Sequence, residues 1–111
     1  MNWHKITSTQ DLQDIRQQSE KQRVMIFKHR TTCSISATVL ARMERHWKDE
    51  QAKEVVPYYL DLLSYRALSN QIAESYGVKH ESPQVLIIEN GKCIYDASHY
   101  EISFEDILTL V

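Results

Sequence analysis

The chain predicts an α/β fold: a mixed central sheet with helices on both faces. Three observations carry that expectation. Apolar, strand-like runs at Val24–Phe27, Val55–Leu63 and Gln84–Glu89 alternate with stretches whose apolar residues recur every three or four positions. A strand, a helix and a second strand make a crossover unit, which places its two strands parallel. Asn90-Gly91 then joins the last two strands as a two-residue turn, which makes that pair antiparallel. The 111 residues contain no repeat, linker or low-complexity tract, so a single domain over 1–111 is expected.

Taken in order, Trp3 to Ile6 reads as a short first strand. Ser8 is the N-cap of the first helix, with Asp11 three residues on as in a capping box, and Leu12 and Ile15 on its apolar side through about Ser19. Val24–Phe27 is a buried strand. The helix after it begins at Cys33 and turns Ile35, Val39, Met43 and Trp47 inward at spacing four. Val55–Leu63 is the next strand, and Asp61 near its end caps the turn that follows. Leu68, Ile72 and Tyr76 mark a third helix, which Gly77 closes. A polar connector, Val78 to Pro83, leads to the hairpin of Gln84–Glu89 and Lys92–Ala97. Ser103 caps a last helix over 104–110, with Glu105 and Asp106 in its first turn.

Composition excludes several classes. A net charge of −2 argues against nucleic-acid and anionic-membrane binding. No apolar run approaches the roughly 20 residues of a membrane span. The start, Met1 to Lys5, has no apolar segment behind it of the kind a secretory signal carries, so a cytoplasmic location is expected. In that reducing compartment two cysteines are free thiols rather than a structural bridge. Five histidines and two cysteines show no zinc-type spacing, so no metal is expected.

The candidate chemistry lies at Cys33. A cysteine between a buried strand and a helix start meets free backbone N–H groups and the positive end of the helix dipole, which favour a thiolate. Thiol–disulfide exchange needs that species, because the thiolate attacks. The triplet Lys28-His29-Arg30 would add positive charge and attract an anionic thiol. Ser36, one turn along, either donates its hydroxyl to the thiolate or is merely a small helix residue. Thr31 and Thr32 read as N-capping residues, with Thr32 a further support for the thiolate. Cys93, just past the hairpin turn, reads as a small apolar filler. Its alternative role, a resolving thiol, needs the two Cα atoms within about 7 Å. His80 and Glu81 flank the connector, where His80 either supports the Ser82-Pro83 bend or titrates near the thiolate.

The element order is that of a thioredoxin-like fold. The active-site run together with Tyr76-Gly77-Val78, Ser82-Pro83-Gln84 and Asn90-Gly91 resembles thioredoxins and glutaredoxins over nearly the whole chain. That resemblance implies a cis bond before Pro83, facing the active cysteine, and a Ser82 backbone that pairs with bound substrate. Two departures are informative. Ser36 stands where dithiol members carry a second cysteine, and Phe27 stands where thioredoxins carry a buried acid. Thr32-Cys33-Ser34-Ile35-Ser36 and His80-Glu81-Ser82-Pro83-Gln84 are similar to the monothiol bacilliredoxin family, with Ser34 in place of that family's usual proline. The resemblance implies catalysis through Cys33, substrate contacts by Arg30, His80, Ser82 and Pro83, and no bound cofactor. It also implies bacillithiol as co-substrate and bacillithiolated proteins as partners.

Two other classes stay open at this level. One is an iron–sulfur scaffold like some monothiol glutaredoxins, from whose Cys-Gly-Phe-Ser motif Ser34-Ile35 departs. The other is an interaction module that keeps only the fold.

Overall fold

The computed structural model describes residues 1–52 and 54–110. Its order is β1 (His4–Lys5), α1 (Thr9–Gln18), β2 (Arg23–His29), α2 (Ser34–His46), β3 (Val55–Asp61), α3 (Arg66–Tyr76), β4 (Gln84–Glu89), β5 (Lys92–Ser98), a 3-10 turn (His99–Glu101) and α4 (Phe104–Leu108). The strands form one mixed sheet in the order β1-β3-β2-β4-β5. β1, β3 and β2 run parallel, while β4 is antiparallel to both β2 and β5.

β2 is central and buried along nearly its whole length, because both of its faces are covered. Met25 and Phe27 face one core layer with Val39 and Met43 of α2 and with Phe104 and Ile107 of α4. Val24 and Ile26 face the other, with Ile15 of α1 and with Leu68 and Ile72 of α3. The strand runs two residues beyond Phe27, since Lys28 is paired with β3 and β4 on either side and His29 with β3.

Local chemistry explains the ends. At α1, the Ser8 side chain accepts from Asp11 N while the Asp11 carboxylate accepts from the N–H groups of Thr7 and Ser8, at 2.8 and 3.1 Å. Those bonds, that of Thr7 foremost, hold the Asp11 carboxyl below its usual range. Gly77 closes α3 with φ +64°. Asn90 and Gly91 both have positive φ, as a type I′ hairpin turn requires. Asp61 accepts from Ser64 Oγ at 3.1 Å, closing the turn into α3.

Two features were not foreseen. A bulge between the partners of Ile87 and Ile88 leaves Ile94 as an extra residue in β5. Cys93 therefore packs on the α1–α3 layer, whereas Tyr95 and Ala97 pack on the α2–α4 layer. The second feature is Pro57 in the middle of β3. Tyr59 O accepts from Ile6 N at 2.9 Å, so the polar groups of Tyr59 face β1, and those of Pro57, two residues earlier, face the same way. β1 begins only at His4, opposite Tyr58. The missing proline N–H thus falls where no strand needs it.

Candidate functional site at the carboxyl end of the central strand

Four loops gather at one end of the sheet. His29, the last residue of β2, pairs with Asp61, the last of β3, and its carbonyl accepts from Leu62 N at 2.9 Å. Gln84, the first residue of β4, pairs with Lys28 and with Ser98, the last of β5. The 30–33 loop, the turn after Asp61, the 78–83 connector and the 3-10 turn therefore share this edge, the position where open α/β sheets carry their sites.

Cys33 is the N-cap residue of α2, half-buried, with extended φ and ψ of −102° and 122°. Its N–H donates to Arg30 O at 3.0 Å and its carbonyl accepts from Ala37 N at 3.0 Å. The first bond closes a turn that has Thr31 and Thr32 at its corners. The expected capping by these threonines is therefore corrected: both are exposed, and they precede the cap instead of occupying it. After Cys33 come the amides of Ser34, Ile35 and Ser36, the helix-start N–H groups with no carbonyl four residues back to bond. The cysteine stands over the positive end of a 13-residue helix.

Ser36 is fully buried and its hydroxyl lies inside the loop. Ser36 Oγ accepts from Arg30 N–H at 3.0 Å and lies 2.7 Å from His29 Nδ1. The assignment that satisfies all three groups has the hydroxyl donating to an unprotonated Nδ1. Burial holds His29 below the usual histidine range, against the opposing pull of Asp61 and Glu44, which suits that neutral ring. Ser36 thus pins the loop before Cys33 to the strand it leaves.

The basic triplet is dispersed, which corrects the expected cationic cluster. Strand alternation sends Lys28 to the α3 side, fully buried, while His29 turns to the α2 side, also buried. Only Arg30 presents its charge to solvent. Lys28 Nζ donates to Ser69 O at 3.2 Å and meets His80 Nδ1 at 3.4 Å. Ser69 Oγ lies 3.3 Å from the same His80 nitrogen. Burial, then Lys28 and Arg66, push His80 below its ordinary range against Glu81. His80 therefore ties the connector to β2 and α3.

The Ser82-Pro83 peptide is cis, and Pro83 O accepts from His99 N at 3.0 Å. Arg42 of α2 anchors the segment beyond, donating to Ile102 O at 2.6 Å. The Cys93 thiol stands at the opposite end of the sheet. Cys93 pairs with Ile88, which pairs with Val24 at the start of β2, so roughly 16 Å of strand separates its level from that of His29. Its thiol donates to Tyr95 O at 3.2 Å, and burial pushes it up from its ordinary value. The site as folded holds one thiol.

Gln84 and Arg42 were missed as site-forming residues, and the burial of Lys28, His29 and Ser36 was not anticipated. The available signal was burial: a central strand flanked on both sides buries every residue, including polar ones. Their partners come from α2, α3, the connector and the 3-10 turn, which local sequence does not announce.

Among the described residues no helix is long and apolar enough to cross a membrane. A family model, monothiol bacilliredoxin BrxC, matches residues 4–107. Among solved structures, a protein of thioredoxin fold is 27% identical with a TM-score of 0.78, over 95% of this chain and 89% of that one. The thioredoxin of Malassezia sympodialis aligns with a TM-score of 0.80 at 14% identity, over 98% of this chain and 90% of that one. That of Fasciola hepatica gives 0.73 at 16%, over 96% and 97%. The last two likenesses are of fold.

Proposed function

The chain belongs to the monothiol bacilliredoxin family, and from that premise we propose that Cys33 removes bacillithiol from protein mixed disulfides in the cytoplasm. Family and fold make the molecule a thiol oxidoreductase type of protein. The observation that carries the finer reading is the placement of the two thiols. Cys33 caps α2 at the site end of the sheet, and the Cys93 thiol is half-buried at the other end.

The Cys33 sulfur attacks the bacillithiol sulfur of the mixed disulfide. The old S–S bond breaks, and the target leaves as a thiolate that takes a proton from water. A new disulfide joins Cys33 to bacillithiol. The Cys33 oxidation state rises as that of the target thiol falls, and no net electron is gained or lost. A second low-molecular-weight thiol then attacks the adduct, freeing Cys33 and carrying bacillithiol away as a small disulfide. The chain's part is to hold the nucleophile over the amides of Ser34, Ile35 and Ser36. It also offers Ser82 and Pro83 along the approaching disulfide and Arg30 to the carboxylates of bacillithiol. Thr32, at the corner of the turn, borders the same approach.

The test is intact-mass spectrometry of wild type, Cys33→Ala and Cys93→Ala after incubation with a bacillithiolated protein. A bacillithiol adduct on Cys33, with the target restored by wild type and Cys93→Ala, supports the proposal. Restoration by Cys33→Ala overturns it, and an internal Cys33–Cys93 disulfide overturns its monothiol form.

A further inference from the structure

Lys28 carries more chemistry than a core position needs. It is fully buried, and among the described residues no carboxylate lies within ion-pair distance of its Nζ. Its two hydrogen-bond neighbours, Ser69 O and His80 Nδ1, are uncharged. Buried ammonium groups without a counter-ion are costly, so an isolated one at a site edge calls for an explanation.

The surroundings point toward a ligand. Gln84 sits beside Lys28 in register and is 1% exposed. Gln84 Nε2 donates to Lys79 O at 2.9 Å, but Gln84 Oε1 has no hydrogen-bond partner among the described residues. Neither does the buried Ser82 Oγ. The residues on either side of Pro83 thus each carry a partnerless buried polar atom, and one of them, Gln84, is the strand partner of Lys28. Such atoms are rare in folded proteins, where nearly all are satisfied.

We infer that Lys28 is a specificity-determining residue of the thiol site: its buried charge, held by Ser69 and His80 under the 78–83 connector, selects thiols bearing carboxylates over neutral ones. This rests on the reading of Cys33 as the attacking thiol. Arg30 is exposed, and its field is weakened by water and salt. The Lys28 field passes through protein, where a charge acts over a longer reach. No bond forms at Lys28. It acts through space on the charge of the incoming disulfide.

Burial lowers Lys28 to about 8, so it changes charge within an accessible range. The charged or titratable groups around it are Lys79, His80 and Glu81 on the connector and Arg66 at the start of α3; β3 and β4 present Leu60 and Gln84 beside it. Burial and the neighbouring cations hold His80 below its ordinary range, so its ring does not gain charge as pH rises. Lys28 is the group in this cluster whose charge changes there.

The experiment compares rates of Cys33 reaction with two small disulfides, the dicarboxylate 3,3′-dithiodipropionate and the neutral bis(2-hydroxyethyl) disulfide. The same sulfur attacks both, so its own ionisation cancels in the ratio. In Lys28→Met the anionic-to-neutral rate ratio should fall about three- to tenfold, the size expected from removing one partly screened charge. In wild type the ratio should fall as pH rises through about 8, an arm that needs no variant to fold. A ratio that is the same in Lys28→Met and flat with pH overturns the assignment, even where both rates drop together. Failure of both disulfides to react at Cys33 overturns the nucleophile reading itself.

Discussion

Replacing Lys28 with Met should leave the fold at least as stable at pH 7, and the order should reverse in alkali, where the neutral lysine keeps its hydrogen bonds without the cost of a buried charge. The methionine keeps the length of the buried stem and removes the ammonium group. Burial moves the Lys28 amine from 10.5 to about 8, and each step of one corresponds to about 1.4 kcal/mol, so the charged form costs about 3–3.5 kcal/mol at neutral pH. Against that gain, Ser69 O and His80 Nδ1 each lose a partner. Ser69 Oγ still reaches the histidine, so the loss is about 1–2 kcal/mol. The net expectation is Lys28→Met more stable by about 1–2 kcal/mol at pH 7. The sign with pH follows from proton counting. Between about 8 and 10.5 the unfolded chain keeps the lysine proton that the folded chain has released, so wild-type stability rises across that window. Urea titrations at pH 7 and pH 10, under reducing conditions, read both quantities. A Lys28→Met protein that is less stable by more than 2 kcal/mol at both pH values would refute the reasoning. The ammonium would then be held by an attraction stronger than its two neutral partners supply.

Two further outcomes follow from the same geometry. Ser36→Ala removes the acceptor of the part-buried Arg30 N–H and the partner of the buried His29 Nδ1, and should cost about 2–3 kcal/mol in chemical denaturation. Because that hydroxyl pins the 30–33 loop, hydrogen exchange at Arg30 to Cys33 should quicken more than exchange in β3, whereas uniform quickening would mean a merely global loss. Cys93, half-buried, with a thiol raised by burial and donating to Tyr95 O, should resist iodoacetamide in the native protein at pH 8 and react fully in urea. Equal labelling of both cysteines in the folded state would contradict the placement of Cys93.

Much of this architecture was readable from the chain because its signals are local. The Ser8–Asp11 capping box, the Gly77 cap and the Asn90-Gly91 turn each act within three or four residues, and each is present as expected. Cys33 was placed at a helix start by the same local logic. What escaped depends on distant partners. Lys28 and His29 looked like the end of a strand because they are polar, yet Ser69, His80 and Ser36 supply the bonds that let them stay buried within it. The face of Cys93 could not be read from alternation alone, since one extra residue at Ile94 reverses the count. Thr31 and Thr32 have the composition of caps, but the bond from Cys33 N to Arg30 O turns the chain one step later than they suggest.

The place of Pro57 bears on how the molecule stays apart from its own copies. β1 covers β3 only at Tyr58 and Tyr59, so the first half of β3 is an open border of the sheet. An open border invites a strand from another molecule, which docks through the free N–H and C=O groups it finds. Among the described residues of this stretch no outward N–H is left to offer. Val55 N–H already donates to Ala52 O at 3.0 Å, and Pro57, the next residue to face outward, has no N–H. This border thereby offers an incoming strand carbonyl acceptors without amide donors, half of the ladder that strand addition needs.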